Sequence, residues 1–419
     1  MALALASVLA PAGLTASPPP RTASPIEAVA VHPDARRQPT PMGRTLAALA
    51  PLDGALYAGY GDYDANTGPV RLRSLKPGLG RFSPPLAALD TEAIYRFRPA
   101  PGALAVPFID PLRDAGAGYA LGRGSDFKVI RTPPATHLFD VLVTDGSDVW
   151  LFGSRGTHAM VWRRAAGGDT FESVLEVAPA DGAAFARTYS GFELAGTVCT
   201  HVMHAGGPLE TRARCLSRGG WRPGPPLFPD DTRYTDHFLW RPTRFAGHLV
   251  YMDAHSGLPR VFSRLFAADG RTVRYAFGSA DAYDPGRRED AVLDFAVSGQ
   301  TLYLLTALGE VYVSDDLERW RLEARVVLPG SESAASIAVT DRIFVGTTAS
   351  RVVAVTGPLG PIAAPRSTPA RRLLTATATV GGLLVAGLGF SAMTHRYNPW
   401  RVAGADDAGA LEPSGEQMS

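Results

Sequence analysis

The hydrophobic positions of this chain fall into short alternating runs, each broken by a turn and answered by a second apolar run. TLAALAPLDGALYAGYG turns at Asp53-Gly54, AIYRFRPAPGALAVPF at Gly102 and FDVLVTDGSDVWLFG at Gly146. GFELAGTVCTHVM turns at Gly196, RPTRFAGHLVYMD at Gly247, LDFAVSGQTLYLLT at Gly299 and SIAVTDRIFVGTT at Asp341. A period of two flanked by Gly or Asp is the signature of an antiparallel hairpin. Residues 373–393, LLTATATVGGLLVAGLGFSAM, carry no charge over a length that fits a membrane span. Their TATATV alternation and the Gly381-Gly382 turn match the other hairpins, so they read as an eighth copy and not as a membrane helix.

These turns recur about every 40 to 50 residues, the length of one four-stranded propeller blade. The expected fold is therefore all-β: a single β-propeller of about eight blades, with seven the alternative. A solenoid of stacked strands is the rival, but its repeats are usually shorter. The expected division is an arm at 1–42, the propeller at 43–402 and a tail at 403–419. A propeller commonly closes by borrowing a strand from the opposite terminus, and IEAVAVH from Ile26 to His32 is the candidate. Trp-Arg pairs end three units, at Trp221-Arg222, Trp320-Arg321 and Trp400-Arg401.

Composition agrees with many short strands and turns: 44 Gly, 35 Pro and a charged fraction of 19%. A net charge of +1 offers no electrostatic footprint for nucleic acid. Only Lys76 and Lys128 are lysines, a coding bias with no chemical consequence. The first fourteen residues are apolar and resemble the core of a secretion signal, yet no basic residue precedes Arg21. The other reading is a docking arm followed by a Pro-rich linker.

Several groups are candidates for chemistry. Asp62, Asp64 and Asn66 alternate in GYGDYDANTGP as the oxygens of a calcium loop do, so Ca2+ is the one cofactor considered. The loop departs from that pattern at Thr67 and Arg73, and an Asx turn is the competing reading. Polar residues precede the first strands of several units: Glu92, His137, Tyr189, Asp236, His237 and Asp290. These are the rim candidates for ligand binding, because such approaches converge near a propeller's central channel. Arg96, Arg98, Arg241 and Arg244 fall on first strands. Cys199 and Cys215 stand symmetrically about Gly207, so a hairpin there would bring them opposite each other as a disulfide. A zinc site with His201 is the remote alternative.

VYVSDDLERW, through Ser314, Asp316 and Trp320, resembles the Asp-box of sialidase-like propellers, with Glu318 in place of its glycine and the tryptophan one residue early. That resemblance covers a single turn and implies fold, not activity. GYGDYDANTGP likewise resembles a string found in propeller proteins of phage tails and bacterial surfaces. No P-loop, GxSxG elbow or HExxH occurs. The leading expectation is a non-enzymatic recognition propeller binding other protein subunits or a surface glycan, in a virion or outside the cell. A sialidase-like hydrolase is the first alternative. The second is an assembly scaffold making contacts through segments such as LFPDDTRYTDHFLW (227–240).

Overall fold

A computed structural model describes residues 23–113, 116–229, 237–255, 264–278 and 291–356. They form a propeller of seven four-stranded antiparallel blades. The innermost strands, in chain order, are Ala48–Leu52, Arg98–Ala100, His137–Val143, Ala186–Leu194, His237–Phe245, Val292–Ser298 and Ala334–Val339. They define blades 1 to 7. A small extra ribbon, Val70–Leu72 paired with Ala87–Leu89, flanks blade 1.

The seven hairpins read from the alternation are the inner two strands of the seven blades. Their turns need left-handed backbone, which is why Gly recurs there: Gly102 has φ 65° and Gly299 has φ 61°. At the Gly146 turn the left-handed residue is Ser147, at φ 67°. The eighth hairpin at Gly382, Trp400-Arg401 and the tail lie outside the described residues, as do the first 22 residues. Seven blades are enough because Ile26–Val31 pairs antiparallel with Arg351–Val355 and supplies the outer strand of blade 7. The ring is thus latched by the first strand among the described residues, with Val29 buried beneath it. The inner strand of blade 7 packs against those of blades 6 and 1, which closes the circle. Among the described residues no helix is long and apolar enough to cross a membrane.

Apolar side chains from facing blades fill the spaces between sheets: Leu151, Phe152 and Val161 of blade 3, for example, are completely buried. Blades 3 and 4 approach so closely that a Cβ on Gly191 would lie 2.0 Å from the Phe152 ring, so only glycine fits there. Outer edges are tied by the tryptophans: Trp221 Nε1 donates to the Val174 carbonyl at 2.7 Å and Trp320 packs edge-on against Phe277.

The inner strands of blades 3 to 7 each carry a β-bulge, between Leu138 and Asp140, Thr188 and Gly191, Trp240 and Thr243, Val292 and Asp294, and Ala334 and Ser336. A bulge re-aims the side chain it carries. Here the bulges hold Asp140, Ser190, Arg241, Asp294 and Ser336, which join the blades to one another around the channel.

Candidate ligand cavity

Two buried aspartates organise the channel. Asp140 Oδ1 accepts from Val141 N at 3.0 Å and Oδ2 accepts from Gly191 N of the next blade at 3.0 Å. Asp294 repeats the arrangement, with Phe295 N at 2.7 Å and Ile337 N of the next blade at 2.9 Å. Each carboxylate also meets a guanidinium that has crossed from another blade. Arg96 of blade 2 lies 2.9 Å from Asp140 and continues to the Tyr189 carbonyl and Ser190 Oγ of blade 4. Arg241 of blade 5 pairs with Asp294 and reaches the Ala47 carbonyl before blade 1. Arg96 also stacks 3.9 Å over the Trp240 ring. Its complete burial lowers its pKa to about 10, with Asp140 opposing that shift, so it stays charged at neutral pH. Burial pushes Asp294 above the usual carboxylate range, while Arg241 and the two amides act against the shift.

Beyond these pairs a cavity of about 530 Å³ opens on the face of the inner hairpin turns. Its polar wall is made by the four arginines expected on first strands, of which Arg96 falls just before the blade 2 strand Arg98–Ala100 and not on it. They grade from floor to mouth: Arg96 is 2% exposed, Arg98 13%, Arg241 16%, and Arg244 is exposed. Arg98 donates to the Gly191 and Pro242 carbonyls at 3.0 and 3.3 Å and stands 3.6 Å from Asp140. Arg244 donates to the Glu193 carbonyl at 2.8 Å. Four guanidiniums against two carboxylates leave an excess of two positive charges. Among the described residues the rest of the wall is apolar apart from Thr243, with Leu142, Phe97, Phe295 and Val297 prominent.

The opposite end of the channel is filled by aromatic rings. Tyr189 lies between Phe139 at 4.2 Å and Phe238 at 3.9 Å. Tyr63 meets Tyr95 edge-on, and Tyr95 Oη donates to the Gly61 carbonyl. Of the expected rim residues, Tyr189 and His137 join this packing, while Glu92 and His237 are buried beside it. Glu92 is 4% exposed, Tyr189 4% and His237 0%. His137 bonds Ser154 through Nδ1 at 3.0 Å and stacks on Phe139, with burial holding its pKa well below the usual value. His237 Nδ1 lies 2.5 Å from Asp253, whose other oxygen takes Arg264 at 2.7 Å. Burial works to raise the pKa of Asp253, but His237 and Arg264 outweigh it and hold the group below its ordinary value. This His–Asp–Arg chain is buried inside blade 5. Asp236 and Asp290 lie outside the described residues.

Asp62, Asp64 and Asn66 share one loop over the channel. Asp62 Oδ1 accepts from the amides of Asp64 and Ala65 at 3.0 and 3.2 Å, which is an Asx turn, and Oδ2 accepts from Thr40. Oriented nitrogen-first, the Asn66 amide donates to Glu92 Oε2 at 3.3 Å. Burial, with Asp110, Asp62 and Asp64 nearby, raises Glu92 to about 8. Among the described residues no group of three or more His, Cys, Asp or Glu is arranged to hold a metal ion. Cys199 and Cys215 stand opposite each other in blade 4 and form a disulfide, which removes both thiols from the imagined zinc set. His201 instead meets the Glu210 carbonyl through Nε2 at 2.6 Å.

No family model matches the chain, and no curated protein matches it. Solved structures resemble it in fold. One is a streptogramin B lyase structure, at 8% identity and TM-score 0.48, covering 79% of this chain and 97% of that one. Another is YCF48 bound to D1 peptide, at 12% identity and TM-score 0.47, covering 81% and 100%. YCF48 from Cyanidioschyzon merolae is similar at 11% identity and TM-score 0.46, covering 80% and 98%. Likeness this distant carries no argument of its own; the propeller is seen in the seven sheets themselves.

The turn that resembles an Asp-box joins the last two strands of blade 6. Ser314 Oγ accepts from Leu317 N at 2.8 Å and Asp316 Oδ1 accepts from Glu318 N and Arg319 N at 2.9 Å each. Its polar groups are used in holding the turn. Sequence reasoning noted the arginines on first strands but placed the site on the rim residues Glu92, His137, Tyr189, Asp236, His237 and Asp290; it could not see that bulges and blade order bring the arginines to one cavity.

Proposed function

We propose that this propeller is a non-catalytic recognition module that binds its partner at the arginine-lined mouth of the central channel. The observation that carries this reading is the chemistry of the cavity. Its titratable wall is arginine, a group that binds anions and does not exchange protons at neutral pH. The two acids behind it, Asp140 and Asp294, are each committed to two amides and a guanidinium. A hydrolase needs an acid and a base or nucleophile facing the substrate. The cavity wall supplies neither, and this weighs against the sialidase-like alternative. A partner outside the cell or on a virion agrees with the Cys199–Cys215 disulfide, since such bonds persist in oxidising surroundings.

The test is co-sedimentation of the protein with isolated bacterial cell envelopes, following bound protein and released reducing sugar together. Saturable binding without sugar release, weakened by Val297→Asp at the cavity wall, is the expected result. Release of sugar, or binding indifferent to Val297→Asp, overturns the reading.

A further inference from the structure

We infer that the channel cavity takes a peptide segment that presents a carboxylate beside an apolar side chain, and not a glycan. The inference rests on the recognition reading and specifies its ligand. Three features of the cavity lead to it.

The first is charge. Arg96 and Arg241 are matched by Asp140 and Asp294, and Arg98 shares Asp140 at 3.6 Å, so the excess of two positive charges is spread along the wall up to the exposed Arg244 at the mouth. A guanidinium offers five N–H donors in a planar fork that fits a carboxylate with two parallel bonds. The backbone carbonyls that Arg98 and Arg244 hold fix their side chains before any ligand arrives, which lowers the ordering cost of binding.

The second is the neutral part of the wall. A sugar brings a hydroxyl on nearly every carbon, and each one buried without a partner is costly. Among the described residues Thr243 carries the single side-chain hydroxyl in this wall, and no amide side chain lines it. Leu, Ile, Val, Phe and Pro surfaces make up the remainder, which suits an apolar side chain and would strand a sugar. Val297 is 37% exposed at the mouth, where such a side chain would enter.

The third is size and access. A volume of about 530 Å³ holds two or three residues of a peptide. The aromatic packing of Tyr63, Tyr95, Phe139, Tyr189 and Phe238 closes the far end. A ligand therefore enters from the hairpin-turn face and stops at Arg96 and Trp240, so a chain end or a tight turn fits and a through-running strand does not.

The experiment selects random octapeptides with free C-termini by messenger-RNA display against the full-length protein, and in parallel against Arg244→Gln. Arg244 is exposed, so that variant should melt as the parent does. The most enriched peptide is then made with its carboxylates intact and as the amidated, Glu→Gln form, and binding is read by fluorescence anisotropy at low and high salt. Hexagalacturonate is titrated as the glycan arm. The expected result is enrichment of sequences with Asp, Glu or a required C-terminus next to Leu, Ile or Phe. Affinity should fall at least about tenfold on amidation and on Arg244→Gln, and should fall with added salt. Enriched peptides that bind as well when amidated overturn the carboxylate requirement while leaving a recognition module standing. Hexagalacturonate binding in preference to every selected peptide overturns the ligand class in the same limited way. No enrichment by the parent protein over bare support overturns the inference and leaves the envelope-binding test to decide the broader reading.

Discussion

Removing the carboxylate of Asp294 should loosen the ring more than its distance from any outer surface would suggest. Asp294→Ala strands three groups at once: the Arg241 guanidinium, the Phe295 amide and the Ile337 amide. Breaking a buried ion pair by deleting one partner costs about 3–5 kcal/mol. Unfolding entropy of about 2.1 cal/mol/K per residue, over a ring of roughly 330 residues from 24 to 356, gives about 0.7 kcal/mol/K. The melting temperature should therefore drop by about 4–7 °C. Arg241→Met should cost less than half as much, because Asp294 keeps both amides and already has a raised pKa that lets it accept a proton. Differential scanning calorimetry of the two variants and the parent gives both numbers. A shift below about 2 °C for Asp294→Ala, or equal damage from the two substitutions, would refute the idea that this carboxylate is the tie between blades 6 and 7.

Other consequences can be measured in the same way. Deleting residues 1–31 should open blade 7 and produce an aggregating protein in size-exclusion chromatography. Cys199→Ala together with Cys215→Ala should cost about 3 kcal/mol, the value for a closed loop of about 15 residues, because the bridged positions are 16 apart; denaturant titration checks it, and dithiothreitol should reproduce the loss in the parent. Glu92 has a pKa near 8 in the fold against 4.5 in the open chain, so its protonated form favours folding and its contribution fades as pH rises through 8. Glu92→Gln should match the parent below pH 4.5 and become progressively more stable than it up to pH 9, as thermal melts across that range would show.

The fold was legible because a blade is a local pattern. Seven inner hairpins announce themselves through alternation and turn residues, and Cys199 and Cys215 pair because they belong to adjacent strands of one such unit. The eighth turn, at Gly382, carries the same local signal, but the number of blades is a property of closure, and closure is decided where Ile26–Val31 meets Arg351–Val355. The cavity was legible in part only. Arg96 and Arg241 could be placed on first strands, yet they lie 145 positions apart in sequence, and their aspartate partners sit on bulges that the alternation does not reveal. Glu92, His137, Tyr189 and His237 look like a wet rim in a linear reading. Ring stacking across blades 3, 4 and 5 takes in His137 and Tyr189, the Asp253 pair takes in His237 and the Asn66 loop covers Glu92, and all of these are relations among residues distant in sequence.

The latch formed by Ile26–Val31 also sets an order in time. That segment leaves the ribosome before its partner Arg351–Val355, which is made more than three hundred residues later. At about 5–20 residues per second the wait is roughly 16–65 s. Throughout it the nascent chain carries an unpaired apolar strand, and six blades accumulate with an open edge at each end of the growing arc. The ring cannot close before Val355 has been made, and a chaperone or an export pathway that holds the chain unfolded has that whole interval in which to act.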